Sequence, residues 1–212
     1  VKKALNFNIS KIVGCLLTHE HGDHAKYVEE FTKAGISVFA SAGTHNAIGN
    51  NSHRAFIMSK GNTQEIGSFK VMCFDVQHDA AEPLGFIINH PETGNVLFLT
   101  DSYFCKYKFK NLNNIIVEAN YSQVIIEKKR SSGSLHNFLA DRILQSHMSL
   151  ETCMDLLKAN DLSKVNNIVL IHLSDGNSDA LHFQNSVKKL TGKSVHIADA
   201  GLVIDPFNIT SF

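Results

Sequence analysis

At 212 residues, 43% hydrophobic and 19% charged, the chain is long enough for one domain with a true apolar core, or at most two small ones. Its 20 basic and 20 acidic side chains cancel, so no global field attracts it to nucleic acid or an anionic membrane; a local patch, partly supplied by bound cations, remains compatible with that balance. No apolar stretch approaches the roughly 18 residues of a membrane helix, and no charged-then-apolar leader opens the chain, so the reading is a cytoplasmic protein with no membrane partner.

In chain order, the apolar run at 12–17 predicts a buried strand, and helical periodicity follows at 25–34. Strands are predicted at 37–40, 69–76, 84–89, 96–100 and 115–118, with Pro91-Glu92-Thr93-Gly94-Asn95 as a hairpin turn. Helices are expected at 135–145, 150–158 and 180–190, with Asn160 and Gly192 as stops, and strands at 168–171, 195–198 and 202–204. Strands and helices mixed along the whole length indicate layered α/β, and the many adjacent strands favour mixed sheets flanked by helices. No repeat or linker interrupts the chain, which reads as a single domain over 1–212.

The densest chemistry follows the first strand: His19-Glu20-His21-Gly22-Asp23-His24. Imidazole and carboxylate suit borderline divalent cations such as zinc or manganese. His19 and His21, two apart, can point to one ion, while Asp23 and His24 turn toward a second. Three further candidates repeat the strand-end placement: His78 after 74–77, Asp101 after 96–100 and His172 after 168–171. Strands of one sheet can bring their carboxyl ends to a common edge, so residues distant in sequence can meet there. Cys15, Cys73, Cys105 and Cys153 are widely spaced without a Cys-x-x-Cys pair, and read as thiols in a reducing compartment; the metal chemistry then falls to nitrogen and oxygen.

These residues resemble the metallo-β-lactamase superfamily, whose His-x-His-x-Asp-His signature stands at 19–24. Gln77-His78-Asp79-Ala80-Ala81-Glu82-Pro83, Leu99-Thr100-Asp101, Val117-Glu118-Ala119-Asn120 and His172-Leu173-Ser174 narrow the resemblance to its WalJ/YycJ-like branch, described as metal-dependent DNA exonucleases. The resemblance implies an αββα sandwich of mixed sheets flanked by helices. It also implies two divalent ions, His19, His21 and His78 holding one, Asp23, His24 and His172 the other, and Asp101 bridging them. A hydroxide shared by the ions would attack phosphorus, with Asp23 orienting or deprotonating it. Glu118 and His147, in Glu118-Ala119-Asn120 and His147-Met148-Ser149, match the Glu-His dyad of the related ribonuclease Z group, which protonates the leaving oxygen. A plainer reading makes Glu118 a strand-end charge and His147 the approach to a helix led by Ser149. Two departures stand out. Only eighteen residues precede His19, without the family's glycine/serine-rich turn and aspartate strand, so the first strands are expected to be missing, through a partial copy or a shortened member. Tyr121 stands where the branch often has histidine, which bears on substrate choice.

Gln77-His78-Asp79 replaces the Gly-His-Thr of many thioesterase-like relatives and, with Glu118 and His147, favours phosphodiesters. Lys106 and Lys108, interleaved with aromatics, and Lys128, Lys129 and Arg130 are candidates to hold a nucleic-acid backbone; a solvated charged face explains each run equally well. His45, His53, His90, His136, His182 and His196 lack ligand spacing and read as surface or packing residues. The expectation is a two-metal phosphodiesterase acting on DNA as an exonuclease. A phosphodiesterase for small cyclic nucleotides, or a non-catalytic metal-binding module, are the alternatives. The oligomeric state stays open, a homodimer included.

Overall fold

The computed structural model describes residues 3–209. They group into two compact units, Val1–Asp75 with Ala80–Phe86, and Val76–Asp79 with Ile87–Phe212.

In the first unit, β1 (Cys15–Leu16), β2 (Val38–Ala40) and β3 (Ala55–Ile57) form a parallel sheet in that order. Leu17, Val28, Val38 and Ala40 make its core, with Cys15, Ala25, Phe31 and Ile48 packed against them. The strand expected at 12–17 shrinks to two residues, because Ile12 closes a 3-10 turn over Ile9–Lys11. The helix expected at 25–34 is two pieces, α1 (Gly22–Ala25) and α2 (Val28–Lys33), broken at Tyr27 with φ −110°. The short α3 (Ala42–Ala47) places four poor helix formers, Gly43 to Asn46, between two alanines and escaped the periodicity; Ser41 caps it, its Oγ accepting from Thr44 N at 3.0 Å. A hairpin of β4 (Thr63–Ile66) and β5 (Phe69–Asp75) completes the unit's strands, with β6 (Leu84–His90) divided between the two units. Neither β3 nor β4 was expected: β3 is an apolar strand of only three residues, and the mostly exposed β4 has a single buried residue, Ile66.

In the second unit, β7 (Gly94–Leu99), β8 (Leu112–Glu118), β9 (Asn167–Ile171) and β10 (Ser194–Ile197) run parallel in the order β10-β9-β8-β7. Six of the seven residues of β8 are buried, as expected of a parallel strand covered on both faces. Gly94 opens β7 at φ +63°, and a Cβ there would lie 2.2 Å from Asn113 Oδ1, so the turn admits only glycine. The second unit also holds four helices: α4 (Gln123–Ser131), α5 (Asn137–Ser146), α6 (Leu150–Lys158) and α7 (Ala180–Thr191). Ser149 caps α6, which buries Leu150, Cys153, Leu156 and Leu157 along one stripe. Asp179 caps α7 through His182 N at 2.9 Å, and Gly192 ends it at φ +66°. The highly charged α4 buries only Ile126, which hid it from the sequence pattern. The strand expected at 202–204 is absent; Val203 is 84% exposed and has no sheet to pair with.

Candidate metal centre

In the first unit, β1 delivers the chain into Thr18 and His19, both buried. Leu84 N donates to Thr18 O at 2.9 Å and fixes the exit of the strand. His19 Nδ1 lies 3.0 Å from Thr18 Oγ1, an outer partner that orients the ring and makes Nε2 the nitrogen that could hold a metal. His21 is the N-cap of α1, its carbonyl accepting from His24 N at 2.9 Å and Ala25 N at 2.8 Å. This one turn gathers the imidazoles: the His19 ring centroid is 4.7 Å from that of His21 and 4.2 Å from that of His24. Asp23, in the first turn of α1, places Oδ2 3.4 Å from His24 Nε2 with its side chain 67% exposed. Two acidic residues brace these loops, Glu20 at this turn and Glu82 at the start of α3. Glu20 Oε1 accepts from Ala81 N at 2.7 Å, and Glu82 Oε2 accepts from Gly43 N at 2.8 Å while its carbonyl accepts from Ser41 Oγ at 2.7 Å. Part of the Ala80-Ala81-Glu82 motif is therefore a structural clasp.

In the second unit, Asp101, Glu118 and His172 lie at or just past the carboxyl ends of the adjacent parallel strands β7, β8 and β9, which brings residues far apart in sequence together. Glu118 is fully buried and organises the cluster. Its Oε1 accepts from His147 Nδ1 at 2.8 Å and lies 3.0 Å from His172 Nδ1. Its Oε2 accepts from Ser102 N at 3.0 Å and Met148 N at 3.3 Å. Asp101, 2% exposed, places Oδ1 3.3 Å from His172 Nδ1, 3.5 Å from His147 Nδ1 and 3.9 Å from His78 Nε2. Thr100 Oγ1 donates to the other oxygen, Asp101 Oδ2, at 2.8 Å. His78 sends Nδ1 to the carbonyl of Ser146 at 2.9 Å. Asp101 and His172 adopt left-handed backbone, φ +49° and +58°, at a cost of roughly 1–3 kcal/mol each that the surrounding bonds offset. Asn120 Nδ2 bonds to the carbonyl of His172 at 2.7 Å and so holds that strained residue.

The donor set fits divalent cations. One ligand atom from each of Asp101, Glu118, His147 and His172 lies within 4.8 Å of the others. Two buried carboxylates so close are costly without positive charge, which a metal would supply. His19, His78 and His172 each engage Nδ1 with an oxygen, the arrangement by which an outer partner sets the tautomer of a metal-binding histidine.

The basic candidates are placed differently. Lys106 and Lys108 are exposed, but the aromatics between and after them, Tyr107 and Phe109, are half-buried, and Lys106 Nζ lies 5.1 Å from the Tyr107 ring. Lys129 donates to Gly176 O and to Asn177 Oδ1, and Arg130 Nη1 lies 3.1 Å from Asp141 Oδ1, so both tie α4 to its surroundings; Lys128 is exposed. Tyr121 is buried with Ile126 and Ala140, and its phenol is pushed up to about 12, chiefly by burial and further by Glu151 and Glu118. Its place is in the core. Among the histidines read as packing, His45 is buried against Phe56 O and Asn50, and His136 caps α5.

The family model of the beta-lactamase superfamily domain matches residues 3–173. The chain belongs to that family. A curated relative, exodeoxyribonuclease YycJ of Bacillus anthracis, is 28% identical over 203 residues, covering 91% of this chain and 73% of the relative. Among solved structures, the metallo-β-lactamase fold protein YhfI of Bacillus subtilis superposes with a TM-score of 0.65 at 13% identity, covering 93% of this chain and 82% of that one. Igni18, a metallo hydrolase of Ignicoccus hospitalis, gives 0.63 at 14% identity, covering 89% and 77%. The metallo-β-lactamase fold expected from the sequence is the one found, and the chain is a metal-dependent hydrolase of that superfamily. None of the described helices is long and apolar enough to cross a membrane.

Proposed function

We propose that the chain is a two-metal-dependent phosphodiesterase acting on DNA as an exonuclease. In this reading His19, His21 and His78 hold one ion, Asp23, His24 and His172 the other, and Asp101 is shared. This division follows the family resemblance, and the geometry within each unit supports its part. One observation carries the phosphodiesterase reading: the buried carboxylate of Glu118 anchors the Nδ1 atoms of both His147 and His172. A proton-donating histidine and a metal-binding histidine thus share one orienting group. The name of the Bacillus anthracis relative supports DNA as the substrate.

Bound zinc or manganese, both suited to this nitrogen and oxygen set, would neutralise charge on the phosphoryl oxygens and acidify an attacking water. The chain's residues do the rest. Asp23, exposed beside His24, orients the water and takes its proton. His147, its side chain 23% exposed and its Nδ1 held by Glu118, donates a proton to the departing oxygen, which would otherwise leave as an alkoxide. Thr100, Ser102, Asn120 and Ser146 hold Asp101, Glu118, His172 and His78 in place.

Purified protein is incubated with end-labelled DNA and, separately, with cyclic nucleotides, with manganese or zinc added. Release of mononucleotides from DNA is the expected result. Turnover of cyclic nucleotides alone would replace DNA by a small substrate, and a metal-loaded protein inert toward both would be a binding module.

A further inference from the structure

Beside His78 the second unit opens a cavity of about 920 Å³, within the range of roughly 300–1,000 Å³ usual for ligand sites. Its lining includes His78, Asp79, Tyr103, Phe138, Asp141 and Arg142. Phe138, Asp141 and Arg142 lie at i, i+3 and i+4 on α5, so they share one face. That face is not packed away, Phe138 being 76% exposed, and Tyr103, which also lines the cavity, is 41% exposed. The charges are distributed unevenly. Asp141 is paired with Arg130 at 3.1 Å, and Asp79 accepts from Ser146 Oγ at 3.1 Å. Arg142 is exposed and makes no ion pair or hydrogen bond among the described residues. The cavity therefore offers two aromatic rings and an unspent guanidinium next to a proposed metal ligand. Aromatic faces with a cation beside them are how proteins hold unpaired bases and their phosphates.

We propose that this cavity is a subsite for a nucleotide of a single strand adjacent to the phosphodiester under attack. Its base stacks on Phe138, Tyr103 closes the cavity, and Arg142 meets the phosphate. The proposal rests on the phosphodiesterase reading above and makes single-stranded polynucleotide the preferred substrate. The anchoring of Tyr103 joins the subsite to the metal ligands: its N donates to Gln77 O at 3.1 Å, next to His78, and it follows Asp101 by two residues.

The test measures binding, by fluorescence anisotropy, of a labelled phosphorothioate-linked oligothymidylate to the manganese-loaded protein. Phe138→Ala is expected to weaken binding about tenfold, the usual effect of losing one stacked base. Phe138→Trp restores it, and Leu181→Ala, an exposed apolar residue of α7 outside the cavity, binds like the parent. A strand of abasic residues should bind the parent more weakly than the thymidylate, and Phe138→Ala should remove that distinction. Arg142→Ala should lower the slope of log affinity against log salt by about 0.7, one phosphate contact on a single strand. Equal affinity of Phe138→Ala and parent, or a variant that still prefers bases, would overturn the subsite. A parent that binds the strand through Phe138 yet cleaves no phosphodiester would leave the subsite standing and overturn the hydrolytic reading instead.

Discussion

Glu118→Gln tests the organisation of the site most directly, because the two side chains have nearly the same shape and differ in what they accept. The carboxylate is fully buried and receives four groups: His147 Nδ1 and His172 Nδ1 on Oε1, Ser102 N and Met148 N on Oε2. Glutamine keeps only one oxygen. Its amide nitrogen must face either the two backbone N–H groups or the two imidazoles. The backbone donors cannot change, so the amide turns toward the histidines, and two charge-assisted bonds are lost. At about 1.5 kcal/mol each, the low end for bonds to charged groups, the metal-free protein loses about 3 kcal/mol. That lowers Tm by about 6–12 °C for a chain of this size. The amide N–H also favours an acceptor at Nδ1, which moves the proton of His172 to Nε2 and removes the lone pair a metal needs. Metal affinity should fall about 10–100-fold, as for other outer partners of metal-binding histidines. Scanning calorimetry of the chelator-treated protein and metal titration of parent and variant give the two numbers. A variant that melts with the parent and binds metal equally well would show that Glu118 is a strand-end charge with no hold on either histidine.

His147→Ala should slow phosphodiester cleavage about 10²–10⁴-fold with metal content unchanged, measured by single-turnover cleavage and elemental analysis; loss of metal would move His147 from proton donor to ligand. Asp101→Ala should abolish turnover and metal loading together, and retention of both would remove Asp101 from the site. Gly94→Ala meets both a φ of +63° and the Asn113 side chain at 2.2 Å, and should cost at least about 2 kcal/mol in denaturant unfolding. Tyr121 and Cys153 are both pushed up to about 12, chiefly by burial. Each stays neutral in the fold and ionises more readily on unfolding, so stability is complete below pH about 9 and falls as pH rises toward 12. Tyr121→Phe should flatten the part of that fall above pH about 10; an unchanged alkaline unfolding curve would refute its burial as the cause.

Local pattern alone established much of this protein. The periodicity of Leu150, Cys153, Leu156 and Leu157 set α6 to the residue, and the apolar runs ending before His19, Asp101 and His172 marked the strand exits, because both signals depend only on near neighbours. Where burial was slight, in α4 and β4, the sequence carried no such signal, and the apolar β3 is only three residues long. The ligand types were also legible, since the chemistry of imidazole and carboxylate travels with the residue, whereas the pairing of Glu118 with His147 came from the family resemblance and is met in the structure at 2.8 Å.

Tertiary structure decided what those residues do for one another. That Glu118 serves His172 as well as His147, that Ser146 sets the His78 ring, and that Asp101 and His172 sit in left-handed backbone depend on parallel neighbours β7, β8 and β9, joined by long crossovers. It also decided which cations and rings are spent. Lys129 and Arg130 are tied into bonds, and Tyr121 is in the core, while Phe138 and Arg142, unremarkable in the sequence, face an open cavity. Sequence spacing cannot distinguish these outcomes, because the partners that use up a charge or cover a ring come from elsewhere in the chain.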